Sequence, residues 1–162
     1  AEVIKNIQIK IEVLFAGPDD NMGLIKRLKD QILDLNMANT FHFIGSSNEM
    51  ENIYALSDIV ISSSTDPEAF GRISIESQAM GKFVIASNHG GSKETIINNK
   101  TGYLYPPTDY KELSKMIIKA ITENKYTSEE VSEFSKNNIR ENYSLEQMCE
   151  ETLKFYKIIL GF

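Results

Sequence analysis

Tryptophan is absent from this chain, cysteine occurs once, histidine twice and proline four times in 162 residues. The lone Cys149 can form no internal disulfide and builds no metal site by itself, which fits a reducing compartment. No apolar run approaches the roughly 20 residues that a spanning helix requires, and no basic-then-apolar leader opens the chain. The sequence therefore reads as cytoplasmic. Positive charge is also short, 17 basic against 23 acidic residues for a net charge of -6, so no long-range field draws in DNA or RNA. Nucleic acid is not an expected partner, yet a compact anion such as a diphosphate needs only a local cluster of donors. Repeats, low-complexity tracts and linkers are missing too, so residues 1–162 read as a single domain.

What is present is a globular composition, 41% hydrophobic and 25% charged. The chain enters an apolar segment almost at once from Ala1, which leads to the expectation of a piece of a longer polypeptide. From residue 9, "IKIEVLFAG" reads as a strand stopped by Gly17-Pro18, and Leu24, Leu28, Ile32 and Leu35 follow at helical spacing. "TFHFIG" is a strand, "NEMENIYALS" a helix with Asn48 as its N-cap, and "DIVISSS" a strand. A helix over residues 71–80, the strand "KFVIAS", a short helix over "SKETIINN" and the strand "TGYLYPP" complete the alternation. Strands alternating with helices indicate parallel βαβ units and an α/β, doubly wound, mostly parallel sheet over residues 1–107. Residues 108–162 read as a helical C-terminal appendage, whose last helix is capped by Ser144 with Gln147 in a capping-box position.

The stretch "DPEAFGRISIESQAMGKFVIASNHGG" carries two carboxylates, Glu68 and Glu76, eight positions apart. In an open parallel sheet, ligands sit at the carboxyl ends of strands, where loops lead into helix N-termini. Residues 62–71 are such a loop, so unpaired N–H groups at the start of the next helix form a seat for phosphate. Helix geometry sets the two carboxylates up to about 12 Å apart and roughly 80° apart around the axis. That spacing disfavours the close pair of a retaining glycosidase and a shared metal site. Acceptors at both ends of a phosphate seat suit a nucleotide-diphosphate sugar. Gly71 allows close approach of backbone to ligand, and Gly90-Gly91 offers a second donor nest, with a plain turn before a helix as the lesser alternative.

Glu68, seven residues and Glu76, within "EAFGRISIESQAMGKFVIASNHGGSKETI", together with "VLFAGPDD", "FHFIGSSNEMENIYALSDIVISSS" and "GYLYPPTD", resemble the retaining glycosyltransferases of family 4, with the GT-B fold. The resemblance implies a Rossmann-like, nucleotide-sugar-binding half of such an enzyme. By it, Glu68 contacts hydroxyls of the transferred sugar and is the catalytic candidate, while Glu76 holds the ribose hydroxyls. Backbone N–H groups around Phe70, Gly71, Arg72 and Ile73 hold sugar and diphosphate, and the loop after Ile44 and Gly45 borders the base. The implied reaction moves a sugar from a UDP-, GDP- or ADP-sugar with retention, needs no metal or other cofactor, and commonly serves cell-surface polysaccharide or glycolipid synthesis. The family's basic Arg and Lys pair and its acceptor-binding N-terminal domain would precede Ala1, so the expectation is a fragment inactive alone. Further partner expectations are that N-terminal domain, peripheral membrane association of the full-length enzyme, and a dimer of the fragment. The alternative is a nucleotide-binding or interaction module of the same fold without transfer.

Plainer readings stand beside these. Taken without its flanking pattern, Glu76 reads as an exposed helix residue and Glu68 as a first-turn acid favoured by the helix dipole. His42 reads as packing on its strand, His89 as a loop residue near phosphate or solvent, Cys149 as a buried helix residue, and Arg72 and Glu94 as residues that cover helix starts. The apolar face of the last helix is expected to pack on this domain or across to a partner domain, and its acidic first half argues against an anionic membrane.

Overall fold

A computed structural model describes residues 10–18 and 23–161. The chain divides into two compact units, Ala1–Met50 and Glu51–Phe162. In the first, β1 (Val13–Ala16) and β2 (Phe41–Gly45) pair in parallel, and α1 (Leu24–Asp34) makes the crossover between them. Alternation along β2 puts Phe41 and Phe43 on one face, where Phe15 of β1 stacks on both at 5.9 and 4.9 Å. His42 points to the opposite face and meets the Glu12 carboxylate at 2.8 Å, so it does not pack as expected. Bonds from His42 and then Lys10 hold the Glu12 carboxyl below its ordinary value. The expected first strand is shorter, because residues 10–12 are irregular; Ile9 and Met22, which bound the expected strand and helix, lie outside the described residues. At the end of this unit the side-chain bond runs from Glu49 N–H to Ser47 Oγ, one residue before the expected cap Asn48.

The second unit holds β3 (Ile59–Ser62), β4 (Phe83–Ser87) and β5 (Gly102–Tyr105) as a parallel sheet in the order β3-β4-β5. β4 is buried at every position, as a central parallel strand covered on both faces must be. Its side chains divide by period two. Phe83 and Ile85 join Tyr103, Tyr105 and Ala120 in one core, while Val84 and Ala86 join Ile96 in another. The first core is closed by Leu113, Met116 and Ile117 of α5 (Tyr110–Thr122), which begins at Asp109, whose carboxylate accepts from the N–H groups of Lys111 and Glu112. Phe83 meets the Tyr103 ring edge-on at 4.9 Å, and the Tyr103 hydroxyl donates to Glu123 at 2.6 Å.

α2 (Met50–Leu56) enters this unit, and α3 (Arg72–Ala79) follows β3. α3 buries Ser74, Ile75, Ser77 and Gln78, a polar face whose donors are taken up locally: Ser77 Oγ by the Ile73 carbonyl, Gln78 Nε2 by the carbonyls of Ser74 and Thr95. α3 packs on α6 (Glu129–Asn142), and the turn just after α3 lies close to it too: a Cβ at Gly81 would collide with Ser132 Oγ. α4 is only Ser92–Thr95, four residues, so the expected helix over "SKETIINN" is cut short. Ile96 turns extended and buries at 4% exposure in the second core, ending the helix there.

α7 (Leu145–Leu160) starts at Ser144, whose hydroxyl accepts from Gln147 N–H. Gln147 donates forward to Glu151, so the expected box is only half made. No residue of α7 is buried, and Cys149, expected in a core, is exposed because the whole helix is. Replacing Phe83 with Ala should destabilise the second unit by about 3 to 5 kcal/mol, as large cavities in close-packed cores do. A urea titration that found less than about 1 kcal/mol would contradict a core packed on that face.

Candidate functional site

β3 and β4 are parallel neighbours with Ser62 beside Ala86, so the segments that leave their carboxyl ends, residues 63–71 and 88–91, emerge side by side. Two hydrogen bonds tie them. Gly91 N–H donates to the Glu68 carbonyl at 2.8 Å, and His89 Nε2 donates to the Ser64 carbonyl at 2.9 Å. The carbonyl can only accept, which fixes the proton of His89 on Nε2 and leaves its buried Nδ1 without a partner.

Main chain lies directly on main chain here. A Cβ at Gly91 would be 2.3 Å from the Phe70 carbonyl carbon, and one at Gly90 2.3 Å from the Glu68 oxygen. Gly90 also has φ 53, so both space and backbone conformation require glycine there. The Gly91 N–H that the sequence offered to a ligand is taken up by Glu68.

The braced segment leads into α3 through Gly71, the N-cap, at φ 74. Gly71 brings no side-chain acceptor, and no side-chain bond caps this end. The first N–H groups of the helix have no intrahelical carbonyl to meet, and the helix dipole adds partial positive charge there. On one side stands Glu68, half-buried, its Oε1 accepting from Ser64 Oγ at 2.5 Å. On the helix itself stands Glu76. Its Oε1 accepts from Arg72 Nε at 3.1 Å and Nη2 at 2.8 Å, and its Oε2 accepts from the Tyr54 hydroxyl at 3.0 Å.

Arg72 thus lends its guanidinium to Glu76 one helical turn on. Its side chain remains 82% exposed. Phe70 is exposed, and its ring faces Tyr143 edge-on at 6.4 Å. Tyr143 also donates to the Glu94 carbonyl, so Glu94 is engaged through its main chain. Ile73 is half-buried on α3. Of the residues singled out from the sequence, Glu68, Phe70, Gly71, Arg72, Ile73, Glu76, Gly90 and Gly91 fall in the second unit around this helix start. Ile44 and Gly45 belong to the first unit, where Ile44 is exposed and Gly45 ends β2 at φ 67.

Sequence reasoning missed Tyr54 and Ser64, the two hydroxyls that hold the carboxylates. Tyr54 carried a signal: a tyrosine on the inner face of a helix needs a partner for its hydroxyl. Burial, and then the bond to Glu76, push that hydroxyl above its ordinary value; burial and the Glu123 bond do the same to Tyr103. Among the described residues no cluster of three His, Cys, Asp or Glu side chains could hold a metal ion, and no helix is long and apolar enough to cross a membrane.

Residues 1–141 match the family of glycosyl transferases group 1. The capsular polysaccharide biosynthesis glycosyltransferase CapM of Staphylococcus aureus is 27% identical over 149 residues, which cover 92% of this chain and 34% of CapM. A glycosyltransferase from Rickettsia africae superposes with a TM-score of 0.87 at 34% identity, covering 98% of this chain and 43% of that one. HepE of Anabaena, solved in complex with UDP-glucose, superposes with a TM-score of 0.82 at 25% identity, covering 94% of this chain and 43% of its own. The chain therefore spans less than half the length of each of these relatives.

Two outcomes follow from the geometry. Gly91→Ala should destabilise the unit by about 1 to 3 kcal/mol through overpacking, and speed proteolysis within residues 63–71; unchanged stability and cleavage would contradict the brace. Tyr54 and Tyr103 hold their protons more tightly folded than unfolded, so their contribution is complete below about pH 10 and is lost as pH rises above it. Urea stability measured from pH 8 to 11.5 should fall at the alkaline end, and less steeply in Tyr54→Phe and Tyr103→Phe.

Proposed function

We propose, because this chain belongs to the glycosyl transferases group 1 family, that it forms the donor-binding domain of an enzyme moving a sugar from a nucleotide-diphosphate sugar to an acceptor. The observation that carries the reading is the start of α3, open at Gly71 and flanked by Glu68 and Glu76. A diphosphate seats on the first N–H groups of the helix, which offer fixed donors without any charged side chain. Glu76, at the nucleoside end, accepts from ribose hydroxyls, and Glu68 accepts from hydroxyls of the transferred sugar.

The chemistry asks for stabilisation of a departing diphosphate and of an oxocarbenium-like carbon. Both are electrostatic tasks. Donors already aimed at the developing negative charge need no reorganisation when the bond breaks, and the Gly90-Gly91 brace keeps the α3 entry in place. A carboxylate near the anomeric centre favours positive charge there, and departure with retention follows the family pattern that the sequence resembles. HepE, whose structure contains UDP-glucose, supports a nucleotide sugar as the ligand class, and CapM supports surface polysaccharide synthesis as the setting.

The two carboxylates have separable roles. Glu76→Ala should weaken UDP, GDP or ADP, whichever binds, by about 1.5 to 3 kcal/mol, the range for hydrogen bonds to a charged group. Glu68→Ala should leave the free nucleotide alone and weaken only the sugar conjugate. Thermal stabilisation reads both, since a ligand at a hundred times its dissociation constant adds about 2.7 kcal/mol. Equal losses for nucleotide and conjugate in both variants would refute the division.

A further inference from the structure

The donor-binding reading leaves the buried hydroxyl of Tyr54 without a task. Tyr54 is 4% exposed, lies on α2, and reaches across to α3 to donate to Glu76 Oε2 at 3.0 Å. The other group on Glu76 is of a different kind. Arg72 sits on the same helix four residues back, and its side chain is 82% exposed. Such a solvated i,i+4 pair constrains a carboxylate weakly. A hydroxyl on a packed ring constrains it well, because burial has already fixed the ring before the bond is made.

Both Arg72 nitrogens go to Oε1, approaching it from one side as neighbouring donors of a single guanidinium, whereas Tyr54 uses one direction of Oε2. One direction of Oε2 remains. We propose that Tyr54 is a positioning residue: it holds the Glu76 carboxylate so that this remaining acceptor site faces the ribose of the donor. The proposal rests on the reading of Glu76 as the ribose ligand. Its consequence is selectivity, since a carboxylate fixed by a buried donor cannot swing away when the ribose hydroxyl is missing, and its acceptor site is then left unmatched.

The test compares wild type, Tyr54→Phe, Glu76→Ala and the double variant by calorimetric titration with UDP, GDP and ADP and with their 2′-deoxy forms. Phenylalanine keeps the ring, and a urea titration of each variant reports the fold. Wild type should prefer the ribose form of the nucleotide that it binds. Tyr54→Phe should reduce that preference about three- to tenfold, the range for one hydrogen bond, by weakening the ribose form alone. Glu76→Ala should abolish the preference, and the double variant should match Glu76→Ala because Tyr54 acts through Glu76. A preference unchanged in Tyr54→Phe, an equal loss for both forms, or a double variant weaker than Glu76→Ala overturns the proposal while leaving Glu76 as ribose ligand. Glu76→Ala with the preference intact, or wild type that binds none of the six, overturns the ribose reading itself and the proposal with it.

Discussion

Where Gly90 and Gly91 meet Glu68 and Phe70, backbone touches backbone with no room for a single methyl group. The arrangement of the site depends on that contact. It sets the height of residues 68–70 above the sheet, and so the point at which the chain turns at Gly71 into α3. The tie from Gly91 N–H to the Glu68 carbonyl and the tie from His89 to Ser64 join the same two segments at ordinary hydrogen-bond length. A helix start left open by its cap holds its direction only if something outside the helix fixes it. Here the neighbouring strand's loop does so.

The same closeness explains the composition of α3. A helix wedged between β4, α4 and α6 has little space for large apolar groups, so it buries Ser74, Ser77 and Gln78. Ser77 and Gln78 give their donors to the helix itself and to Thr95, and the Ser74 hydroxyl meets that of Ser92, at some loss of apolar burial. Bulk is supplied elsewhere. Phe83, Ile85, Tyr103 and Tyr105 form the larger core beneath α5, which leaves α3 free to carry Glu76 at its exposed edge rather than to serve as packing.

Much of this was legible. The alternation of strands with helices pointed to parallel α/β units, and the position of residues 62–71 between a strand and a helix pointed to a loop at the carboxyl end of β3. What was not legible was whatever depended on partners distant in sequence. Tyr54 and Glu76 lie on different helices, and His42 pairs with Glu12 thirty residues away. Ile96 looked like the middle of a helix because periodicity cannot tell a buried helical position from a buried extended one. Cys149 looked like core because its helix has an apolar face, and a face in the sequence does not say whether anything covers it.

α7 shows an apolar face that nothing among the described residues of this unit covers. Sixteen residues with none buried take almost nothing from tertiary packing, so helicity there rests on the Ser144 cap, the Lys154–Glu151 pair and intrinsic propensity. A segment held only by such local terms has its own melting equilibrium, uncoupled from the core around Tyr103. Its amide protons exchange by fraying rather than by global opening, and a single midpoint does not describe the unfolding of the whole chain.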